Sequence, residues 1–237
     1  MSKWPKRLPE LTAEQERISA EFMAAHLDAM QTKWYGFVEG FNHKYPLRSF
    51  SPGCRTLELG AGLAAHLKYE RYTEQEYYCN ELLPELCKRI KMDYPGVNVV
   101  PGDCQKGFLQ FEDGFFDRIL AIHVLEHLPN LPAAVREAYR LLRAGGQFSV
   151  VIPCEGGLAT RIARNISARR HFEKRYGQSY DWFIQSQHIN FPEEILEELF
   201  LYFAPIHNRW FPSVFPSVSF NLFLGMTLVK RGEGILA

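Results

Sequence analysis

Arg55-Thr56-Leu57-Glu58-Leu59-Gly60-Ala61-Gly62-Leu63-Ala64 is the stretch on which the fold turns. Arg55 to Leu59 reads as a strand. Gly60 lets the backbone turn sharply behind it, and Gly62 lets the chain approach a ligand with no Cβ in the way. A helix is expected next, near Leu63 to Tyr69, whose first N–H groups and positive dipole end suit a carboxylate or a phosphate.

Downstream, the same unit recurs. Strands are expected at Glu76 to Asn80, Val97 to Val100, Asp117 to Ile122 and Gln147 to Ile152. Helices are expected from Pro84 to about Tyr94 and from Leu131 to Arg143, the latter stopped by Gly145-Gly146. Such alternation predicts an α/β fold, a Rossmann-like, mostly parallel sheet with helices on both faces. The pattern lapses between Pro153 and Asn190. A helix resumes at Phe191 to Phe203, with Asn190 as N-cap and Glu193 at N3. His207 to Phe211 and Phe220 to Val229 read as two strands with no helix between them, so they should pair antiparallel. The sheet then has seven strands. Upstream, Ile18, Phe22, Ala25, Met30 and Trp34 give Thr12 to Gly40 a helical pattern. The domain plan is therefore a helical cap over 1–50, a main domain over 51–237 and a lid insertion at about 154–190.

The chain has 237 residues with 27 Lys plus Arg against 27 Asp plus Glu. A formal net charge of zero argues against a general nucleic-acid binder. Cys54, Cys79, Cys87, Cys104 and Cys154 are scattered without CxxC spacing, which fits thiols in a reducing, cytoplasmic setting. Met1 to Leu11 has no apolar signal-peptide core. Phe211 to Val229 is uncharged and approaches a bilayer span in length, but Pro212, Pro216, three serines and Asn221 interrupt it.

Gly60 to Ala65 also reads GxGxxA, so the turn alone fits a dinucleotide equally well. Three acids shift the balance. Glu58 ends the first strand, where a carboxylate would repel a pyrophosphate and attract an ammonium or sulfonium. Glu81 ends the second strand and can accept both hydroxyls of a ribose. Asp103 ends the third and can accept from an adenine amino group. All three carboxyl ends line one crevice at the switch point of such a sheet.

With these residues the sequence resembles the class I S-adenosylmethionine (SAM)-dependent methyltransferases, in their small-molecule, type 11-like branch. LELGAGLA at 57–64 is similar to their glycine-rich first motif, with Ala64 in place of the commoner third glycine. NELLPEL at 80–86, GDC at 102–104, FDRILAIHVLEHLPN at 116–130 and LLRAGGQFSVVIP at 141–153 resemble the later motifs in order. The resemblance implies SAM as cofactor and S-adenosylhomocysteine as product. It implies that Glu58, Gly60, Ala61 and Gly62 surround the methionine end, Glu81 and Leu82 the ribose, and Asp103 and Cys104 the adenine. Backbone near Ile122 closes the site.

Methyl transfer needs alignment and, for a hydroxyl acceptor, a base. His123 and His127 follow the fourth strand at i, i+4 and are the catalytic candidates. As a metal pair they lack a third ligand at obvious spacing, so no metal is expected. His66 and His188 are weaker candidates. Gly157 to Tyr176 holds Arg161, Arg164, Arg169, Arg170, Lys174 and Arg175, opposed within that stretch only by Glu173. Three readings of this segment stay open: a solvated helix, a site for an anionic acceptor, and a membrane-surface helix. The acceptor class is a small molecule or a lipid- or sugar-linked intermediate. A SAM-binding regulatory or scaffold protein and a nicotinamide-dependent oxidoreductase are the other classes left open.

Overall fold

The computed structural model describes residues 3–29 and 36–232. The seven strands are Arg55–Leu59 (β1), Glu76–Glu81 (β2), Asn98–Pro101 (β3), Phe116–Ile122 (β4), Leu142–Pro153 (β5), Phe203–Phe211 (β6) and Phe223–Lys230 (β7). They form one sheet in the order β3-β2-β1-β4-β5-β7-β6. β1 to β5 run parallel, and β7 pairs antiparallel with both β5 and β6. The strand order reverses between β1 and β4, so the crevice lies beyond the carboxyl ends of these two strands.

Period-two side-chain alternation builds the two faces. Ile119 and Ala121 of β4 join Phe148, Val150 and Ile152 of β5 in the main apolar cluster. That cluster is closed by Leu131–Leu141 (α4) and Pro192–Tyr202 (α8), through residues such as Leu131, Val135, Ile195 and Leu199. Leu120 points the other way, to Tyr77, Cys79 and Ile90 of the helix Pro84–Asp93 (α3).

Several elements differ from expectation. No α-helix follows the glycines; Ala65–Lys68 makes a single 3-10 turn. Ala64 enters it at φ +55, and His66 and Leu67 are pulled into the core rather than along an amphipathic face. α4 ends at Leu141, and β5 takes the chain directly, running through Gly145-Gly146 instead of starting after them. The last helix is capped one residue later than expected. Phe191 is its N-cap, and Glu194 at N3 accepts the Phe191 N–H at 2.9 Å. Asn190 is instead fully buried, its amide donating to the Leu125 and Leu128 carbonyls at 2.8 Å each.

Helices Ala13–Ala29 (α1) and Gly36–Lys44 (α2) occupy the N-terminal region. Residues 30–35 between them, including Met30 and Trp34, lie outside the described residues. The insertion holds three short helices, Leu158–Ile166 (α5), Ala168–Tyr176 (α6) and Tyr180–Gln187 (α7). α1 packs on them through Ile18 and Phe22 against Phe172, Tyr180 and Phe183. Phe22 meets Phe172 and Phe183 edge-on at 5.1 and 5.0 Å, a favourable aromatic geometry. Among the described residues no helix is long and apolar enough to cross a membrane.

Candidate active site

The turns after β1, β2 and β3 are tied to each other by hydrogen bonds. Gly60 and Gly62 adopt φ +59 and +57, where a side chain is strained. A Cβ on Gly60 would also lie 2.7 Å from Val124 Cγ2, so glycine lets β1 and the segment after β4 close together. The Ala61 N–H donates to the Asn80 carbonyl at 2.8 Å, and the Gly62 N–H to Glu81 Oε2 at 2.8 Å. Glu81 Oε1 accepts from the N–H groups of Leu82 and Leu83 at 2.7 and 2.9 Å. The Asn80 amide donates to the carbonyls of Val100 and Gly102, which fixes the third turn. Asp103 Oδ1 accepts from Gln105, whose own side-chain oxygen takes the Asn130 N–H at 2.7 Å at the entrance to α4.

Glu81 and Asp103 therefore occupy adjacent turns beside Gly60-Ala61-Gly62. Cys104 is buried, and burial pushes its thiol up to about 12, so it is a wall rather than a nucleophile. Leu82 is well exposed beside Glu81, and Ile122 is half-buried at the end of β4.

Glu58 lies one layer below the turn. It is 3% exposed and accepts the Tyr77 hydroxyl at 2.7 Å. Burial pushes its carboxyl up to about 7, against the lowering effect of the Tyr77 hydrogen bond and the Arg118 charge. An acid whose folded-state pKa is raised binds more protons folded than unfolded, so it lowers stability as pH rises from about 4.5 to about 7. Glu58→Gln should remove this slope. In urea melts, the stability of the variant relative to the wild type should rise between pH 5 and pH 8 by on the order of 3 kcal/mol. A difference that stays constant across that range would show that Glu58 does not titrate there.

His66 does not reach the crevice. It is completely buried and 3.1 Å from Glu70 Oε2, and burial lowers its pKa to about 4.

His123 and His127 both stand at the carboxyl end of β4. His123 has φ +55, a conformation that costs a side-chain-bearing residue about 1 kcal/mol or more and is concentrated at functional sites. Its Nδ1 lies 3.3 Å from Glu126 Oε1, and its Nε2 is buried without a hydrogen-bond partner. His127 Nδ1 lies 2.6 Å from the Gln187 carbonyl, so it carries the proton and leaves Nε2 with its lone pair. Burial lowers the His127 pKa, against the pull of Glu126.

The structure adds residues that spacing did not reveal. Glu126 is 1% exposed. Burial raises its carboxyl pKa, but the His123 hydrogen bond and the nearby imidazoles outweigh that and hold it at about 2. Its backbone carbonyl accepts the N–H groups of Ile189 and Asn190 at 2.9 and 3.0 Å, which pins the end of the insertion to the turn after β4. His188 thereby comes to rest against His127, ring centroids 5.0 Å apart. The one signal in the sequence was Glu126 itself, between two histidines.

The basic segment is more balanced than it reads. Arg164 makes a two-pronged ion pair with Glu155, Arg169 pairs with Asp181 and Glu173, and Arg175 pairs with Glu21. Arg161 and Arg170 have no ion-pair partner among the described residues. Arg161 lines a cavity of about 500 Å³ with Glu155, Arg164, Arg169, Tyr180 and Asp181. Leu158, Ile162 and Ile166, the apolar stripe of α5, are all exposed by half or more.

Residues 57–150 match the family model described as "Methyltransferase domain". The matched segment begins in β1 and ends in β5, and it contains every turn just described. This segment is a methyltransferase domain.

Around this domain, likenesses extend further. The chain is 30% identical over 139 residues to "Probable phthiotriol/phenolphthiotriol dimycocerosates methyltransferase 2" of Mycobacterium ulcerans (strain Agy99), covering 54% of this chain and 53% of that protein. The chain spans between 15% and 53% of the length of the curated relatives it matches. Among solved structures it resembles the 1,6-didemethyltoxoflavin-N1-methyltransferase of Burkholderia thailandensis, solved with S-adenosylhomocysteine. The TM-score is 0.60 at 15% identity, over 96% of this chain and 94% of that one. It resembles the [4+2]-cyclase SpnF as closely in shape, with TM-score 0.64 at 14% identity over 95% and 99% of the two chains. The methyltransferase domain thus sits in a fold that does not by itself dictate the reaction.

Proposed function

We propose that this protein moves the methyl group of SAM to a small or medium acceptor, with a lipid- or sugar-linked intermediate as the acceptor class. The observation that carries this reading is the joined set of turns. Glu81 and Asp103 sit on successive strand ends beside a glycine turn, with Glu58 beneath it. In this reading Gly60, Ala61 and Gly62 border the methionine end of the cofactor, and the field of Glu58 favours its cationic groups. Glu81 and Leu82 take the ribose, Asp103 and Cys104 the adenine, and Ile122 closes the site. The acceptor's lone pair attacks the methyl carbon in line, the S–C electron pair stays on sulfur, and neutral S-adenosylhomocysteine leaves. The acceptor proton passes to His123 or to His127 Nε2.

The lipid-linked choice is supported by the name of the mycobacterial relative and by α5. That helix exposes Leu158, Ile162 and Ile166 beside the unpaired Arg161, a combination suited to peripheral contact with an anionic lipid surface. An anionic acceptor would have to be recognised chiefly by Arg161 and Arg170, since the other arginines are already paired. The five cysteines are unpaired and buried, which agrees with action in the cytoplasm.

Calorimetry should show binding of S-adenosylhomocysteine and none of NAD. Incubation with methyl-labelled SAM and a fractionated lipid extract should then yield a labelled product. NAD binding without S-adenosylhomocysteine binding would replace the reading with an oxidoreductase. S-adenosylhomocysteine binding with no labelled product from any lipid, sugar or quinol fraction would favour a non-methylating role, as the likeness to a cyclase allows.

A further inference from the structure

We infer that Glu126, His127 and His188 form a binding site for a divalent transition-metal ion at the mouth of the crevice, with a coordination position open to an oxygen of the acceptor. One ligand atom from each of the three residues lies within 4.8 Å of the other two. Two imidazoles and one carboxylate are a donor set suited to zinc, iron, cobalt or nickel. An ion central to such a triangle lies at most roughly 2.8 Å from each donor, so bonds of about 2.0–2.2 Å need inward shifts below about 1 Å.

Three features besides proximity point to a ligand. First, both imidazoles are turned the same way. His127 Nδ1 faces the Gln187 carbonyl at 2.6 Å, and His188 Nδ1 faces Glu155 Oε2 at 2.7 Å. Arg164 also lies 3.2 Å from His188 Nδ1. A lone pair on that nitrogen would meet the carboxylate head-on, however, so the proton belongs on Nδ1. Both Nε2 atoms are left as lone-pair donors. An oxygen acceptor behind each ligating histidine is the arrangement that fixes a metal site's tautomers.

Second, Glu126 Oε2 is buried without a hydrogen-bond partner, although Oε1 is engaged by His123. A carboxyl oxygen left bare in the interior is unfavourable, and a bound cation would give it a partner. Third, the frame is rigid. Asn190 and the Glu126 carbonyl join the two segments, and Arg164 holds Glu155 behind His188. Glu126 is buried while His127 and His188 are 35% and 18% exposed in their side chains, which leaves a path for an ion and a further ligand.

These three residues supply at most three donors, and a fourth position is then open, as in catalytic rather than structural sites. A metal there would bind an acceptor hydroxyl or carbonyl oxygen and lower the pKa of a hydroxyl before its attack on the methyl group; with His127 Nε2 on the metal, the acceptor proton would go to His123. This use of the metal rests on the methyl-transfer reading; the site itself does not.

The test uses the full chain, stripped with a chelator and titrated with Co(II). One equivalent per chain should develop visible ligand-field bands, and Zn(II) should displace it. His188→Ala should weaken Co(II) binding at least about 100-fold, and Glu155→Gln, which acts only through His188, about 10-fold or more. His171→Ala, on α6 and away from the cluster, should leave it unchanged. Circular dichroism on the same samples verifies the fold, and S-adenosylhomocysteine calorimetry tests the cofactor reading separately. Acetohydroxamate, a small oxygen ligand, should shift the cobalt bands. No stoichiometric Co(II), or equal affinity in His188→Ala with the fold intact, overturns the site. Bands indifferent to acetohydroxamate overturn the open position.

Discussion

Arg118→Ala is expected to lower the unfolding free energy by about 3–5 kcal/mol, the range for stripping one partner from a buried ion pair. Arg118 is 1% exposed in the middle of β4, on the face opposite Ile119 and Ala121. Its Nη1 donates to Glu70 Oε2 at 2.7 Å, its Nε to Ser49 Oγ at 2.8 Å and its Nη2 to the Pro46 carbonyl at 2.6 Å. Burial alone would raise the Glu70 carboxyl, but the His66 hydrogen bond and the Arg118 charge outweigh it and hold that group at about 2. Without Arg118, Glu70 is a buried carboxylate with no cation beside it: Oε2 faces only the His66 imidazole, while Oε1 keeps the Arg71 N–H and the Gln75 amide. The melting temperature should fall by roughly 10 °C, since about 1 kcal/mol corresponds to 2–4 °C in a chain of this size. The double variant Arg118→Met with Glu70→Gln should recover part of the loss, because neither charge is then stranded. Urea and thermal melts of the two variants decide the matter. A loss under about 1 kcal/mol in Arg118→Ala would mean that solvent or a rearranged loop solvates Glu70 freely.

Glu81→Ala should raise the dissociation constant for S-adenosylhomocysteine roughly 10- to 150-fold, the equivalent of about 1.5–3 kcal/mol for hydrogen bonds to a charged group. The carboxylate is 6% exposed, with Oε1 accepting two N–H groups and Oε2 one. A carboxylate oxygen has two lone-pair sites, so Oε2 retains one for a ribose hydroxyl. Binding both hydroxyls requires one backbone N–H to yield its place. The Ala variant therefore loses the ribose contact and also loosens the Gly62 and Leu82 turns. Glu81→Gln keeps an acceptor but sets an NH2 group against backbone N–H donors, so it should bind no better than Ala. Calorimetry at matched folded fraction checks this. An unchanged dissociation constant in both variants would assign Glu81 to the turn alone.

The main line of the fold was open to local reasoning because its signals are local. The apolar runs of β1, β2, β4 and β5 are each bounded by Gly or Pro, and a two-residue period needs only a short window. The strand ends carrying Glu81 and Asp103 follow from the same register. The failures were local as well. Leu63 to Tyr69 has helical composition, yet burial of His66 and Leu67 under a left-handed Ala64 leaves room for only one 3-10 turn. Asn190 looked like a cap because Asn favours caps, but two carbonyls of the turn after β4 claim its amide.

The sequence by itself determined that the first five strands run parallel, the antiparallel closing pair and the acids around the glycine turn. Each follows from residue spacing along one element or across one turn. The tertiary structure alone decided which charges meet. Arg118 and Glu70, Arg164 and Glu155, and Glu126 with His127 and His188 are brought together by packing, across 48, 9 and up to 62 positions of chain. Electrostatic and coordination energies depend on distance and burial, and neither quantity is written in spacing. Half of the basic residues of the segment are therefore paired with acids, and two histidines four apart acquire the third and fourth partners that their spacing lacked.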